Sequence, residues 1–272
     1  MDEQLRRIQL AELEILDQIH EFCKKNGLRY SLAYGTLIGA VRHGGFIPWD
    51  DDIDIVMPRE DYNKLLSIWP KEANPQFLLQ NKNTHTDFNQ NFTKIRKDHT
   101  AFLQFEFEKK ATYPTGFFVD IFPGDRIAPQ GVKRRFQYFN CAISLLYSRE
   151  GVTSKKDTLP EKVLMKVPRA LRLKIRNWCD RNIQKWNNTE HQYFFPSTIL
   201  DAKVYYPADL FDNMSEIMFA GKKYMCVRDY DTFLRLYYGD YMQLPPEEKR
   251  VLTHHPIFID FSENYSGESK GE

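Results

Sequence analysis

The sequence predicts an α+β fold in which a short mixed sheet is flanked by helices and carries an appended helical basic region. Apolar residues recur at spacings of three and four over residues 3–26, which is the helical period. Short runs of alternating and β-branched residues between positions 30 and 123 are typical of strands. Residues 131–186 contain 14 Lys and Arg but 4 Asp and Glu, a net charge of +10, whereas the whole chain carries +1. The basic segment therefore differs in character from the rest.

We predict four parts along the 272 residues. Residues 1–128 form a catalytic core, 129–205 the helical basic region, 206–261 a C-terminal part that completes the core, and 262–272 a disordered tail. A hydrophobic fraction of 42% is sufficient for a core of this size.

Several classes of protein are disfavoured by composition. The charged N-terminus lacks the apolar stretch of a secretion signal, and no apolar run is long enough to span a bilayer. The four cysteines are widely spaced and form no C-x-x-C pair, which argues against a structural zinc site or a disulfide framework. We therefore expect a cytoplasmic protein.

Residues 30–57 carry the main chemical signal. In Asp52-Ile53-Asp54, the two aspartates would project from the same side of a strand. Adjacent carboxylates repel each other unless a cation lies between them, and such hard oxygen ligands suit Mg²⁺, with Mn²⁺ also possible. The alternative, an acidic loop leading into an edge strand, is weakened by the neighbouring features described next.

Gly35-Thr36 precedes the aspartates and is predicted to form a phosphate-binding turn between a strand and a short helix. Glycine lets backbone N–H groups approach a phosphate closely, and the threonine hydroxyl can cap the helix or contact the phosphate. Arg42, at the end of that helix, is a second candidate phosphate ligand; its alternative role is to oppose the helix dipole.

Asp120 is a lone carboxylate within the apolar run 116–123. Aspartate is seldom buried unless it is paired or bound to a metal, so Asp120 is a candidate metal ligand and general base; the alternative is a buried structural aspartate that caps a turn. Asp125 is interpreted as a turn residue. Lys94 and Arg96 share one face of a predicted strand and could neutralise phosphate charge, or form an ordinary exposed face.

Other elements are predicted from periodicity and turn residues. Helix 3–26 is interpreted as core packing without a chemical role, and a second helix is expected from Pro58 to Ile68, closed by Trp69-Pro70. Further expected elements are strands at 77–79, 92–97 and 101–107, a basic helical stretch at 163–186 that Pro168 could divide, a hairpin at 215–227 turning at Ala220-Gly221, and a helix at 229–238. His254 and His255 are candidate phosphate or leaving-group contacts, or a structural pair beside a proline.

These segments also carry a family resemblance. Gly-Thr followed downstream by D-x-D resembles the signature of the DNA polymerase beta-like nucleotidyltransferase superfamily, with threonine where serine is usual. The longer string GTLIGAVRHGGFIPWDDDID is similar to the LicD family of phosphocholine transferases, to which fukutin-type proteins are related. The run YYGDYMQLPPEEKR and the following histidines resemble the C-terminal signature of the same family.

The resemblance implies a nucleotidyltransferase core in which Asp52, Asp54 and Asp120 are both the metal ligands and the catalytic carboxylates. It further implies CDP-choline as donor, CMP as by-product, and an acceptor hydroxyl on a cell-surface glycan or teichoic-acid precursor. Alternatives are another CDP-alcohol such as CDP-ribitol, transfer of NMP from NTP, a non-catalytic binding protein, and a D-x-D glycosyltransferase. No nucleic-acid partner is expected. The basic segment is interpreted either as a contact with an anionic membrane or lipid-linked polymer, or as a solvated face.

Overall fold

The computed structural model describes residues 3–148, 166–196, 201–252 and 254–266. The helices are α1 (Glu3–Asn26), α2 (Tyr34–His43), α3 (Arg59–Glu72), α4 (Val132–Ser148), α5 (Arg169–Ile183) and α6 (Tyr230–Tyr238). The strands are β1 (Ser31–Leu32), β2 (Asp54–Pro58), β3 (Phe77–Gln80), β4 (Thr93–Lys97), β5 (Ala101–Leu103), β6 (Phe118–Arg126), β7 (Tyr193–Phe194), β8 (Met214–Phe219), β9 (Lys222–Val227) and β10 (Phe258–Asp260).

A six-stranded mixed sheet lies at the centre of the fold. Its order is β1-β2-β6-β4-β3, and β7 pairs with the end of β6. β2 and β6 are parallel, whereas the other pairs are antiparallel. The α+β architecture with a helix-flanked mixed sheet is therefore confirmed.

Helix α1 packs on this sheet through the apolar face that the sequence predicts. Ile8, Ala11, Ile15, Ile19 and Phe22 are all buried in the main core. The helix ends at Asn26, and Gly27 follows in the left-handed region at φ +60°, where glycine has no Cβ penalty.

Helix α3 is longer than predicted. It continues through Pro70 to Glu72, although proline removes a backbone donor. Trp69 is buried, and its indole N–H donates to the carbonyl of Phe77 at 2.9 Å, which ties the last turn to β3. Packing of this large side chain therefore outweighs the local signal to stop at the proline.

Strand β5 is shorter than the predicted 101–107 and ends at Leu103. The Glu108 carboxylate accepts hydrogen bonds from the backbone N–H groups of Gln104 and Phe105, at 2.6 and 3.0 Å, and a short 3₁₀ helix follows. The side chain of Glu108 thus takes backbone donors that a longer strand would have used.

Asp125 is not a turn residue, because β6 continues to Arg126. The Asp125 carboxylate is fully buried and accepts from Arg59 Nε and Nη2 at 2.8 and 2.6 Å and from Asn187 Nδ2 at 2.7 Å. This buried ion pair joins the start of α3 to the central strand.

Helices α4 and α5 pack against each other beside the sheet. α5 begins directly after Pro168. The start of the predicted helical stretch at 163–186 falls among residues 149–165, which lie outside the described part of the chain. A second, small core beneath the helices is formed by Ile127, Cys141, Ile183, Phe194 and Ala202.

The C-terminal elements return to the main core. The predicted hairpin is present as β8 and β9, and its turn residues Ala220 and Gly221 both have positive φ, +50° and +89°. Helix α6 is also confirmed, and the Asp229 side chain accepts from Thr232 N at its N-terminus. Within the predicted tail, Asn264 Nδ2 donates to Asp98 at 2.8 Å; residues 267–272 lie outside the described part.

Two further observations concern the cysteines and the helices. All four cysteines are buried thiols. Among the described residues, none of the helices combines the length and the apolar character needed to cross a membrane.

Candidate active site

Parallel pairing of β2 and β6 places two predicted site residues side by side. In the register of these strands Asp54 lies opposite Asp120, and the backbone N–H of Asp120 donates to the carbonyl of Ile53 at 2.9 Å. Directly opposed residues point to the same face of a sheet. The sheet topology therefore brings together carboxylates that are 66 positions apart in sequence.

Thr36 fixes the position of Asp54 rather than capping the helix. Helix α2 already begins at Tyr34, so Gly35 and Thr36 belong to its first turn. The buried Thr36 hydroxyl accepts a hydrogen bond from the backbone N–H of Asp54 at 2.8 Å. The expectation of a Thr36 helix cap was wrong; contact of its oxygen with a phosphate stays a prediction.

Gly35 lies against a carboxylate that the sequence did not assign to the site. A Cβ at Gly35 would stand 2.7 Å from Oδ2 of the buried Asp50. The close neighbour of Gly35 in this structure is thus a side-chain oxygen of Asp50, whereas the prediction concerned a phosphate. Whether the Gly35 N–H also approaches a phosphate stays a prediction.

Asp52 lies just before β2 and belongs to a second group of potential ligands. Ligand atoms of Asp51, Asp52 and His254 all lie within 4.8 Å of one another. His254 Nδ1 is 3.3 Å from Asp51 Oδ1 and 3.9 Å from Asp52 Oδ2, and the His254 backbone N–H points to both Asp51 oxygens at 3.2 Å. His254 is thus inside the site, whereas the exposed His255 lines an adjoining cavity that Asp51 also lines.

The carboxylates raise one another's pKa values. Burial, together with Asp50, raises the pKa of Asp52 to about 8. Burial and the charge of Asp52 raise the pKa of Asp54 well above its ordinary range. Burial alone would lower the pKa of His254, but the Asp51 and Asp52 carboxylates outweigh it and raise that pKa. A cluster in which carboxylates hinder one another's ionisation needs additional positive charge, and its carboxylate oxygens, with the imidazole of His254 beside them, fit a divalent cation.

Lys94 provides part of the positive charge. Its Nζ donates to both oxygens of Asp120, at 2.7 and 2.9 Å, and lies 3.3 Å from the centre of the Phe118 ring. Burial lowers the pKa of Lys94 despite the neighbouring carboxylate. Lys94 is therefore a buried partner of the site, and the alternative of an exposed strand face is wrong.

Arg96 and Arg42 have structural partners in this conformation. Arg96 is buried and donates to Gln80 Oε1 at 2.5 Å and to the Gly116 carbonyl at 2.6 Å. Arg42 donates to the Tyr241 carbonyl at 2.9 Å, linking α2 to the C-terminal segment. Contacts of either arginine with a substrate phosphate stay predictions.

Glu12 is a site neighbour that sequence reasoning missed. It lies in the middle of α1, is 1% exposed, and its Oε2 has no hydrogen-bond partner among the described residues. One turn earlier, Gln9 Nε2 donates to the carbonyl of Asp50 at 3.0 Å, which docks this face of α1 on the aspartate loop. Burial raises the pKa of Glu12, and the charges of Asp52 and Asp51 add to this effect. Its signal in the sequence was a single acidic residue on the apolar face of an otherwise amphipathic helix.

Comparison with known proteins agrees with this geometry. Residues 27–140, which include α2, β2 and β6, match the family model "LicD/FKTN/FKRP, nucleotidyltransferase domain". The lipopolysaccharide cholinephosphotransferase LicD of Haemophilus influenzae is 30% identical over 268 residues, covering 92% of this chain and 96% of that protein.

The chain therefore belongs to the LicD family of transferases. A shorter match, 54% identical over 47 residues, links 17% of the chain to 10% of the human and mouse ribitol 5-phosphate transferase FKRP. An uncharacterised protein of Rickettsia prowazekii is 30% identical over 128 residues, 44% of this chain and 48% of that protein.

Proposed function

We propose that this protein is a Mg²⁺-dependent transferase that moves phosphocholine from CDP-choline to a hydroxyl of a cell-surface glycan precursor and releases CMP. The observation that carries the proposal is the pairing of Asp54 with Asp120 on adjacent parallel strands, with Asp52 at the entrance to β2. The extent of similarity to a cholinephosphotransferase supports the choice of transferred group. The central sheet would then be a DNA polymerase beta-like nucleotidyltransferase core.

Asp52, Asp54 and Asp120 would hold Mg²⁺, or Mn²⁺ in its place. The bound cation would neutralise the donor phosphates and act as a Lewis acid. The raised pKa values of Asp52 and Asp54 support this assignment, because a positive partner would favour the ionised form of both carboxylates.

The chain's own groups account for the acceptor side of the reaction. The acceptor oxygen attacks the phosphorus that carries choline, and the bond from that phosphorus to the CMP oxygen breaks. Asp120 takes the hydroxyl proton, while Lys94 holds the Asp120 carboxylate in place with two hydrogen bonds. The Thr36 hydroxyl positions Asp54 by accepting a hydrogen bond from its backbone N–H. Gly35, Arg42, Arg96, His254 and His255 complete the proposed set of substrate contacts.

The alcohol carried by the CDP donor has one specific alternative to choline. The local identity to a ribitol 5-phosphate transferase favours CDP-ribitol as the second candidate. Transfer of NMP from NTP would use the same three carboxylates but predicts NTP binding and release of pyrophosphate. For a lipid-linked acceptor, the enzyme would work at the cytoplasmic face of a membrane.

A thermal-shift panel in the presence of Mg²⁺ tests the proposal. The ligands are CDP-choline, CDP-ribitol, CDP-glycerol, CTP and ATP, and the proteins are wild type, Asp54→Asn and Asp209→Asn, which removes an exposed carboxylate outside the site. A ligand present at 100 times its dissociation constant stabilises by roughly 2.7 kcal/mol, which is readily measured.

We expect the wild type and Asp209→Asn to respond to CDP-choline, and Asp54→Asn to lose the response. A response to CDP-ribitol alone would replace the donor. A response only to CTP or ATP would overturn the phosphocholine reading in favour of nucleotidyl transfer.

A further inference from the structure

Helix α4 carries an apolar stripe that is exposed in its N-terminal half and half-buried towards its C-terminus. Val132, Phe136, Phe139, Ile143 and Leu146 follow one another at alternating spacings of four and three, so they lie on one side of the helix. The first three are among the most exposed large apolar residues of the described chain, with 43% to 81% of their surface accessible. Solvent alone is an unfavourable environment for such a stripe.

Helix α5 continues this stripe. Leu171, Ile175 and Trp178 share one side of the helix, and Leu171 and Trp178 are 49% and 47% exposed. The rings of Phe136 and Trp178 contact edge to face, with centroids 6.0 Å apart and an interplanar angle of 81°. We call this combined area the two-helix surface, formed by Val132, Phe136, Phe139, Ile143 and Leu146 of α4 with Leu171, Ile175 and Trp178 of α5.

Positive charges flank the two-helix surface. Five exposed Lys and Arg residues lie within a few positions of stripe residues in the sequence of the two helices and the turn after α5. They are Lys133, Arg135, Lys174, Arg181 and Lys185. In the described part of residues 131–186 the acidic residue is Asp180, which points inward, where it accepts from Ser144 Oγ at 2.6 Å and pairs with Lys82. No exposed acidic side chain in that described part therefore offsets the cations.

We propose that the two-helix surface docks on an anionic membrane, with α4 and α5 lying in the plane of the lipid headgroups. Apolar side chains bordered by Lys and Arg are the features of helices that bind at membrane interfaces. Tryptophan and phenylalanine are suited to that depth, and each cation near an anionic leaflet adds about 1 kcal/mol of attraction. This inference deepens the proposed membrane location of the enzyme, but it is independent of which donor the active site uses.

Charge also decides against a second copy of the chain as the occupant. Two such surfaces brought face to face would oppose cation to cation, which costs free energy at an interface of low dielectric constant. An anionic bilayer satisfies both the apolar stripe and its positive border.

Co-sedimentation of the full chain with vesicles tests the proposal. Vesicles of phosphatidylcholine alone are compared with vesicles that contain phosphatidylglycerol as well, at low and high NaCl concentration. We expect binding to the anionic vesicles and its decrease with salt, because exposed charges are screened. Lys133→Gln/Arg135→Gln should weaken binding about 25-fold, from about fivefold for each cation lost.

Phe136→Ser/Phe139→Ser should weaken vesicle binding by at least about tenfold, because two rings no longer enter the interface. The matched control is Phe105→Ser/Phe107→Ser, which changes two exposed phenylalanines outside the two-helix surface, with 37% and 38% of their surface accessible. The control should bind as the wild type does. Circular dichroism and the thermal midpoint establish that each variant is folded.

The proposal is overturned if the wild type does not bind anionic vesicles at low salt, or if substitution of either phenylalanine pair reduces binding to the same extent. It is also overturned if the wild type is a dimer that becomes monomeric in Phe136→Ser/Phe139→Ser, since the surface would then be a protein interface. The thermal-shift response of this variant to CDP-alcohols separates the membrane proposal from the proposed transferase function. If the variant loses vesicle binding but keeps its response to CDP-alcohols, the change affects the two-helix surface and not the active site.

Discussion

The clustered carboxylates predict that Mg²⁺ stabilises the protein more strongly as the pH rises. Asp52 has a pKa of about 8 in the folded chain, raised by burial and by Asp50. Because this pKa lies above that of the unfolded chain, the native state keeps a proton that the unfolded state has released. Without a cation, the free energy of unfolding therefore falls as the pH rises towards 8. A bound cation favours the ionised form and removes this loss.

The magnitude follows from one proton. For a group with a native pKa of about 8 and an unfolded pKa of about 4, the loss between pH 7 and pH 8 is about 1 kcal/mol. The raised pKa values of Asp54, Glu12 and His254 act in the same direction. Burial lowers the pKa of Lys82 to about 7, which acts in the opposite direction, but that contribution is the same with and without a cation.

The assay is urea unfolding at pH 7 and pH 8, each in EDTA and in Mg²⁺. The stabilisation by Mg²⁺ should grow by about 1 kcal/mol or more over this interval. Asp52→Asn should reduce the growth, whereas Asp209→Asn should leave it unchanged, because Asp209 is exposed and outside the cluster. Equal Mg²⁺ stabilisation of the wild type at both pH values would refute the reasoning.

Three further changes test individual contacts. Glu12→Gln removes a buried carboxylate from the cluster and should raise the thermal midpoint in EDTA while reducing the gain from Mg²⁺; a midpoint lowered in EDTA would contradict this. Thr36→Val leaves the backbone N–H of Asp54 without its acceptor and should cost about 1–3 kcal/mol in urea unfolding, whereas Thr36→Ser should be close to wild type. Arg59→Met strands the buried Asp125 carboxylate and should cost about 3–5 kcal/mol, much of it recovered in Arg59→Met/Asp125→Leu; an equally unstable double variant would show that packing, not charge, is responsible.

Local signals in the sequence predicted most of the elements. The period of α1, the Ala220-Gly221 turn and the end of α6 before Gly239 are all as expected, because each depends on residues within a few positions of one another. Predictions failed where a distant partner intervened. Trp69 donates a hydrogen bond to the carbonyl of Phe77, and α3 continues past its proline. Arg59 pairs with Asp125, which is a buried strand residue and not the predicted turn residue.

The same division holds for the active site. Asp52 and Asp54 could be singled out because one apolar residue separates them, and Asp120 because a lone carboxylate interrupts an apolar run. That Asp54 and Asp120 are neighbours depends on the parallel register of β2 and β6, which pattern alone does not specify.

The sequence by itself determined which residue types could hold a cation, since composition and spacing are local properties of the chain. Only the tertiary structure added Glu12 and the Asp51–His254 contact, because each is brought to the site by an element far away in sequence. Electrostatic interactions depend on distance in space, so the charges of His254 and Asp120 act on Asp52 only because the C-terminal segment and β6 pack close to it.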